Sequence, residues 1–306
     1  MRGVTGVTVF FVISGFLITT LLLREEGRTG AVRLGGFYRR RAYRILPAAF
    51  VYLAVAFGFA WANRLPWNPM EWVGAMLFFR NLVPAGTDSH LTGHFWSLSI
   101  EEQFYLVWPL MVILIARRRR LGLTLGLCLF APVWRHLVTK WAGGGPINIG
   151  RIDLNYDSLL IGALLALMQQ RPSFRSLFDR YPFAPWILPA AIAAIGAQLY
   201  WGLPFGVVGV VASATVQLTL VAVVIKILTE GRCALAQALC NFPPIVWLGR
   251  LSYSLYLWQT LFCEVSGPGL LWKRPWCILA ALAAAIASYY LVEQPILRLR
   301  ERRAAV

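Results

Sequence analysis

The chain has 306 residues, of which 58% are hydrophobic and only 14% are charged, and its mean hydropathy is +0.63. This composition excludes an ordinary water-soluble globular protein and predicts an integral membrane protein. A net charge of +16 would indicate nucleic-acid binding in a soluble chain. Here the arginines cluster beside apolar runs, where membrane topology and anionic lipid headgroups explain them, and no nucleic-acid partner is expected.

Apolar runs long enough to cross a bilayer recur along the whole chain. Inside lipid every backbone N–H and C=O must be bonded within its own segment, so these runs are predicted to be helices. Their apolarity is continuous and does not alternate, which argues against a transmembrane β-barrel. The nine predicted spans are residues 4–23, 46–62, 95–116, 121–141, 156–169, 184–201, 205–228, 246–266 and 271–292.

A shorter apolar piece at residues 72–83 contains Arg80 and is predicted to be a re-entrant or interfacial segment. The predicted fold class is therefore all-α, a polytopic transmembrane helix bundle of about nine spans plus this short segment. Residues 1–306 are expected to form a single membrane domain, because no soluble domain or internal repeat interrupts the pattern.

Basic residues between the spans fall on one side if the spans alternate, and the positive-inside rule makes that side cytoplasmic. We therefore expect a multi-pass protein of the inner (cytoplasmic) membrane, with a cytoplasmic C-terminus and an external N-terminus. An external start with no helix before it is unusual, so we also expect that one helix is missing ahead of Met1. The five basic stretches are residues 24–44, 117–120, 171–180, 226–232 and 298–303.

The stretch 94–109, HFWSLSIEEQFYLVWP, carries two adjacent carboxylates into a predicted span. A charge at the bilayer centre costs at least ~2.5–3.5 kcal/mol on insertion scales, which marks Glu101 as a functional-site candidate. Its neighbour Glu102 points in another direction around the helix. His94 lies two turns before Glu101 on the same face, so a proton could pass between them. The alternative is that the carboxylates stay near the interface or bind an arginine.

The stretch 37–47, FYRRRAYRILP, lies at the predicted inner mouth of the second span. Arg41 and Arg44 are three residues apart and share one face of a helix. Guanidinium groups bind phosphate well, so a cytosolic acyl or nucleotide donor is one expected ligand. A topology signal that anchors the chain to lipid headgroups explains the same residues equally well.

Two further stretches bring polar residues into predicted spans. Asp157 follows Arg151 and opens the fifth span, either as a functional carboxylate or as half of an ion pair that caps a helix. Residues 248–259, LGRLSYSLYLWQ, carry hydroxyls and an amide along one span. They would line a substrate path or join helices by hydrogen bonds.

The five cysteines are scattered, and no metal-ligand spacing is present.

Six motifs carry a family resemblance, and they occur in order over nearly the whole chain. They are residues 6–18 (GVTVFFVISGFLI), 41–47 (RAYRILP), 96–105 (WSLSIEEQFY), 157–162 (DSLLIG), 251–258 (LSYSLYLW) and 292–295 (VEQP). Each is loose alone, but their order is specific. The chain resembles the acyltransferase-3 family, bacterial membrane O-acyltransferases that modify lipopolysaccharide O-antigen, peptidoglycan, exopolysaccharides and macrolides.

The resemblance implies transfer of an acyl group, with acetyl expected, from acyl-CoA to a hydroxyl of a carbohydrate or lipid-linked acceptor. It implies a ten-helix membrane protein with no bound cofactor and no metal. Arg41 and Arg44 are similar to the family's paired arginines near the donor, and Arg40 beside them joins the predicted donor site.

The other candidate residues are those predicted to act in catalysis or to contact the substrate. Glu101 looks like the family's intramembrane glutamate and is the predicted catalytic carboxylate. His94 is the candidate general base because of its position near Glu101, since the family's own histidine is missing. Asp157 looks like the family's acidic residue, and Ser97, Tyr105 and Asp157 are the predicted substrate contacts.

Three departures from the family pattern stand beside the resemblance. The family's first helix, with its arginine and histidine, has no counterpart in this sequence, in agreement with the helix expected ahead of Met1. Thr8 stands where the family has aspartate, and Gln259 stands where it has histidine. Either the start is misassigned or this is a copy without full activity.

Two other functions fit the sequence less well. Many helices with intramembrane charge suit a transporter or a flippase of lipid-linked sugars, although no internal repeat is detectable. A non-catalytic homologue that binds a partner is the third reading.

Overall fold

The protein is described by a computed structural model that covers residues 2–83, 90–141, 155–174, 176, 187–201, 206–230, 234–264 and 272–304. Within these residues the regular structure is helical, as the continuous apolar runs predict, and the all-α fold class is confirmed. The α-helices are α1 (Arg2–Thr29), α2 (Leu34–Ala62), α3 (Pro69–Met76), α4 (His90–Gly93), α5 (Phe95–Leu114), α6 (Arg117–Trp141), α7 (Tyr156–Gln169), α8 (Ile187–Trp201), α9 (Gly206–Glu230), α10 (Ala234–Cys240), α11 (Pro243–Cys263), α12 (Trp276–Ser288) and α13 (Gln294–Ala304).

Each of the nine predicted spans contains an α-helix. Four helical segments of the described residues are long and apolar enough to cross a membrane, and the chain is a multi-pass membrane protein. Which loops face the cytoplasm stays a prediction. The four segments are Gly6–Thr29, Leu34–Ala62, Arg117–Val138 and Trp276–Arg300.

Helix α2 begins well before the start of the predicted membrane span. It opens at Leu34 and runs through Pro47, whereas the apolar pattern places the start of the span at residue 46. The predicted span followed apolarity, which stops at the arginines, whereas the helix continues beyond it. Arginine and leucine are nevertheless good helix formers. The basic stretch is therefore the first part of a long helix.

The segment around residues 72–83 contains no spanning helix. Helix α3 ends at Met76, and only a 3₁₀ turn at Arg80–Leu82 follows it. Glu71 is fully buried, and a guanidinium nitrogen of Arg80 lies 3.1 Å from its carboxylate. The Arg80 backbone N–H donates to the Ser99 hydroxyl at 3.1 Å. Both helical pieces are too short to cross a bilayer, in agreement with the prediction.

The chain divides into two compact units, Met1–Val32 with Ile100–Ala238, and Arg33–Ser99 with Leu239–Val306. In the first unit, two glycines let α1 and α7 pack so closely that their backbones are in contact. A Cβ atom on Gly15 would lie 1.9 Å from the Leu159 carbonyl oxygen, and one on Gly162 would lie 2.0 Å from the Val12 carbonyl oxygen. Small residues permit such close crossings in membrane helices.

In the second unit, a cluster of aromatic rings surrounds Tyr52 of α2. Tyr52 is fully buried, and its hydroxyl donates to the Leu91 carbonyl at 2.8 Å. Phe95 stacks on its ring with centroids 5.9 Å apart, and Trp258 of α11 meets it edge-on at 5.5 Å. Aromatic pairs in these geometries stabilise a core beyond the area they bury. The cluster thus provides rigid walls for the polar groups described next.

Helix α12 continues through a π-helical turn at Tyr289–Glu293 into α13. Such turns are rare and occur often at functional sites. The turn carries Glu293, whose side chain is buried.

Candidate active site

In the first unit, the carboxylate of Glu101 is buried in the second turn of α5, with 4% of the residue exposed. Its Oε1 accepts hydrogen bonds from the Ser14 hydroxyl of α1 and from the Tyr105 hydroxyl one turn further along α5. The two hydroxyl oxygens are themselves 2.5 Å apart. A buried carboxylate is tolerated only when it is bonded, and hydroxyls meet that need while remaining able to pass a proton. Glu101, Ser14 and Tyr105 form what we call the hydroxyl–carboxylate cluster.

A second polar contact fixes α1 against α5. The Trp108 indole N–H donates to the Thr19 hydroxyl at 2.8 Å, and that hydroxyl donates to the Gly15 carbonyl at 2.7 Å. All three residues lie in the same helices as the hydroxyl–carboxylate cluster. The contact sets the register that brings Ser14 to Glu101.

The two adjacent glutamates occupy different environments. Glu101 is buried, whereas Glu102 is partly exposed. The expectation that neighbouring helix positions separate the two carboxylates is confirmed.

Asp157 at the start of α7 forms a buried ion pair. Its Oδ2 lies 2.5 Å from a guanidinium nitrogen of Arg135 on α6, and its Oδ1 accepts the Ser158 backbone N–H at 2.9 Å. Of the two sequence interpretations, the ion pair at a helix start is the one that the geometry supports. The partner suggested by the sequence, Arg151, lies outside the described residues.

In the second unit, His94 lies directly before α5 with its side chain enclosed by aromatic rings. Ring centroids of Tyr52, Phe95 and Tyr256 lie 5.2, 4.9 and 5.5 Å from that of His94. The residue is 8% exposed, and both ring nitrogens lack a hydrogen-bond partner among the described residues. Buried polar atoms are nearly always paired, so an unpaired imidazole calls for an explanation.

Ser97 lies one turn after His94 and is tied to α11. Its hydroxyl shares a 2.5 Å hydrogen bond with the Tyr256 hydroxyl, which donates to the His94 carbonyl oxygen at 2.9 Å. The polar face of residues 248–259 thus contributes interhelical hydrogen bonds, as one of the two sequence interpretations states. These bonds hold the backbone at His94 and leave its ring nitrogens out of the network.

The predicted donor arginines lie in the first turns of α2. Arg40 and Arg44 are exposed, and Arg41 is partly exposed. Arg44 acts electrostatically on the buried carboxylate of Glu293, which accepts a hydrogen bond from the Ser254 hydroxyl. Exposed guanidinium groups at such positions lie within reach of an aqueous phosphate.

Four residues of these clusters carried no functional prediction. Ser14, Arg135 and Glu293 find their polar partners on other helices, which spacing along one sequence cannot reveal. Tyr256 belongs to a polar face that the sequence does display, although nothing there singles out one hydroxyl. The only available signal for Glu293 was its place in the 292–295 motif.

Comparison with known proteins identifies relatives over most of the chain. The peptidoglycan O-acetyltransferase OatA of Listeria monocytogenes is 26% identical over 334 residues, covering 96% of this chain and 51% of the relative. A Bacillus subtilis protein provisionally named as a peptidoglycan O-acetyltransferase, YrhL, is 27% identical over 336 residues, covering 96% and 50%. A Staphylococcus aureus protein provisionally named as an O-acetyltransferase is 29% identical over 293 residues, covering 84% and 45%.

The chain therefore spans about half the length of the curated relatives that it matches. No solved structure matches it. The family described as an acyltransferase domain, acyltransferase 3, matches residues 1–293. That range takes in the hydroxyl–carboxylate cluster, His94 and the arginines of α2, and the chain belongs to the acyltransferase-3 family of membrane O-acyltransferases.

Proposed function

We propose that this protein transfers an acetyl group from acyl-CoA to a hydroxyl of a carbohydrate or lipid-linked acceptor. Family membership supports the acyl-transfer class. The names of the relatives support acetyl as the group, and two of those names specify peptidoglycan as the acceptor. The observation that carries the proposal for this chain is the His94 imidazole, which is buried among aromatic rings and has no hydrogen-bond partner among the described residues.

The reaction requires a base at the acceptor hydroxyl. The hydroxyl oxygen forms a bond to the thioester carbonyl carbon, the carbon–sulfur bond breaks, and CoA leaves as a thiolate. The proton taken from the hydroxyl is finally returned to that thiolate, so atoms and charge balance. General-base assistance at this step contributes roughly 10²–10⁴-fold to the rate.

In this scheme His94 is the general base. A neutral imidazole has one nitrogen that accepts a proton, and neither nitrogen of His94 is engaged by another described residue. Ser97 and Tyr256 act as positioning residues, because both hold the His94 carbonyl oxygen and neither bonds to the ring.

Glu101 is proposed as the intramembrane carboxylate that handles protons in the same reaction. Its two hydroxyl partners, Ser14 and Tyr105, can each donate and accept, so the cluster can change protonation without losing its hydrogen bonds. Tyr105 is then a member of the cluster and a proposed substrate contact. Asp157 is proposed as a structural group, since an ion pair with Arg135 already occupies its carboxylate.

The donor is proposed to bind through its phosphates to the arginines at the start of α2. Arg40, Arg41 and Arg44 fall within little more than one helical turn, and Arg40 and Arg44 are exposed. Charge-assisted bonds between guanidinium and phosphate are about twice as strong as neutral ones.

The test is an acetyl-transfer assay on the purified protein, with acetyl-CoA and peptidoglycan fragments. Release of the CoA thiol is measured together with the mass of the acetylated product. The double variant Arg41→Gln/Arg44→Gln should weaken acetyl-CoA binding roughly tenfold or more, because two phosphate contacts are removed. The matched control Arg28→Gln/Arg39→Gln removes the same charge from exposed positions of α1 and α2 and should change affinity less than about twofold.

Equal losses in the two double variants would contradict a specific donor site. Thiol release without acetylation of any carbohydrate would contradict the acceptor class. Transport of a lipid-linked sugar by protein reconstituted in vesicles, with no acetyl transfer, would replace the enzyme with the flippase alternative.

A further inference from the structure

A basic pocket in the first unit is not used by the proposed reaction. It lies where the end of α1, the start of α6 and the end of α7 meet, and it has a volume of about 500 Å³. Pockets of this size hold small-molecule ligands or the headgroup of a larger one. Four arginines line the pocket, together with Glu26 and several apolar residues. The arginines are Arg117, Arg118, Arg120 and Arg171.

Two of the arginines are committed to Glu26. Arg120 donates two hydrogen bonds to the Glu26 carboxylate at 2.6 and 2.9 Å, and its Nε donates to the Ile115 carbonyl at 2.9 Å. The Nε of Arg117 lies 3.0 Å from the same carboxylate. Glu26 is the only carboxylate among the described residues that line the pocket. Arg118 and Arg171 therefore add positive charge that no lining carboxylate offsets.

The local backbone adds to this excess of positive charge. Arg117 is the first residue of α6, and the N-terminus of a helix carries a partial positive charge of its own. Cationic side chains are unfavourable there, whereas a bound anion is stabilised by the same backbone N–H groups. Four guanidinium groups against one carboxylate leave a net charge of +3 on the lining side chains. A bound anion would relieve that repulsion.

The apolar part of the lining narrows the class of anion. Leu23, Leu121 and Leu167 bring one apolar side chain from each of the three helices into the pocket. A bare inorganic ion makes no favourable contact with these apolar side chains. A phosphate joined to an apolar chain contacts both the charged and the apolar parts of the lining. We propose that this pocket binds a phosphate ester with an attached apolar group, through Arg118 and Arg171. A phospholipid combines its phosphate ester with acyl chains, and CoA combines its phosphate esters with the methyl and methylene groups of pantetheine, so both share this chemistry.

The experiment compares two double variants of the purified full chain. Arg118→Gln/Arg171→Gln removes the two uncommitted guanidiniums of the pocket. The control Arg28→Gln/Arg119→Gln removes two exposed arginines from α1 and from the same run at the start of α6, outside the pocket lining. CoA binding is measured by calorimetry in uncharged detergent. Retention of phosphatidylglycerol against phosphatidylcholine is measured by native mass spectrometry.

We expect the pocket variant to lose roughly tenfold or more in affinity for one of the two probes, and the control to lose less than about twofold. Loss for phosphatidylglycerol alone identifies a lipid headgroup as the ligand, and loss for CoA identifies the donor. Equal losses in both variants, or unchanged binding of both probes, overturn the inference.

The inference does not depend on acetyl transfer, and the two can fail separately. CoA affinity that falls in the pocket variant but not in Arg41→Gln/Arg44→Gln would move donor binding to this pocket. That result would contradict the role proposed for the arginines of α2 and support the pocket.

Discussion

The imidazole of His94 meets the ring of Tyr52 edge-on, with ring centroids 5.2 Å apart and ring planes inclined by 85°. Tyr52 is fixed in turn by its hydrogen bond to the Leu91 carbonyl. An imidazole held between aromatic rings keeps one orientation without any hydrogen bond to its own nitrogens. The aromatic contacts thus orient the imidazole of the proposed base and leave both ring nitrogens outside the hydrogen bonds of the described residues.

The first prediction concerns this histidine. His94→Gln keeps a polar side chain of similar length and removes the base, so acetyl transfer should fall about 100-fold or more. His136→Gln is the control, since His136 lies in α6 and has no proposed role. Product formation is measured with acetyl-CoA at saturation, and the melting temperature is measured alongside. An active His94→Gln variant would remove His94 from the reaction.

The second prediction concerns the hydroxyl–carboxylate cluster. Glu101→Gln preserves shape and removes the ionisable group, so transfer should drop by about 100-fold while the protein still folds. Glu102→Gln makes the same chemical change at the partly exposed neighbour and should be much milder. If Glu101→Gln instead prevents membrane insertion, the carboxylate is structural. If both variants remain active, the cluster serves packing alone.

The third prediction concerns the buried pair of Asp157 and Arg135. Asp157→Asn leaves the guanidinium without its counter-charge and should cost about 3–5 kcal/mol of stability. The double variant Asp157→Asn/Arg135→Gln removes both charges and should recover part of that loss. Thermal unfolding in detergent is measured for the wild type, the two single variants Asp157→Asn and Arg135→Gln, and the double variant. Additive losses in the double variant would mean that the two groups do not interact energetically.

The fourth prediction concerns the crossing of α1 and α7. Gly162→Ala places a methyl group 2.0 Å from the Val12 carbonyl oxygen, so the helices must separate and stability should fall by roughly 1–3 kcal/mol. Gly126→Ala in α6 is the matched control, because its new Cβ meets nothing within 4 Å. Higher helix propensity should leave that variant neutral or slightly stabilised. Equal behaviour of the two variants would contradict a tight crossing.

Much of the fold was predictable because lipid imposes a strict condition on the backbone. Continuous apolarity located a helix in each of the nine predicted spans, but it does not report helical residues outside the apolar runs. Residues 34–45 are helical and basic, so an apolar window could not include them. Propensity and apolarity are separate properties, and only the second reports on the bilayer.

The candidate site was predictable only where its members are close in sequence. Tyr105 is four residues from Glu101, and a helix alone brings them together. Ser14 on α1 contacts the same carboxylate although it is 87 residues away in the sequence. Arg135 on α6 likewise contacts Asp157 on another helix, α7. Such partners follow from the packing of several helices, which no spacing rule encodes.

At the π-helical turn Tyr289–Glu293, the number of residues matters as much as their chemical identity. A π turn is an α-helix that holds one additional residue, because its hydrogen bonds reach one position further. Removing Leu291, which is largely exposed, would restore α-helical winding, and α13 would keep nearly the same direction, because the π turn accommodates its additional residue locally. The π turn itself would be lost, although the residues on either side of it would keep their faces. In an alignment of relatives, a one-residue gap here would therefore identify proteins that lack the π turn and still present the same side of their last helix.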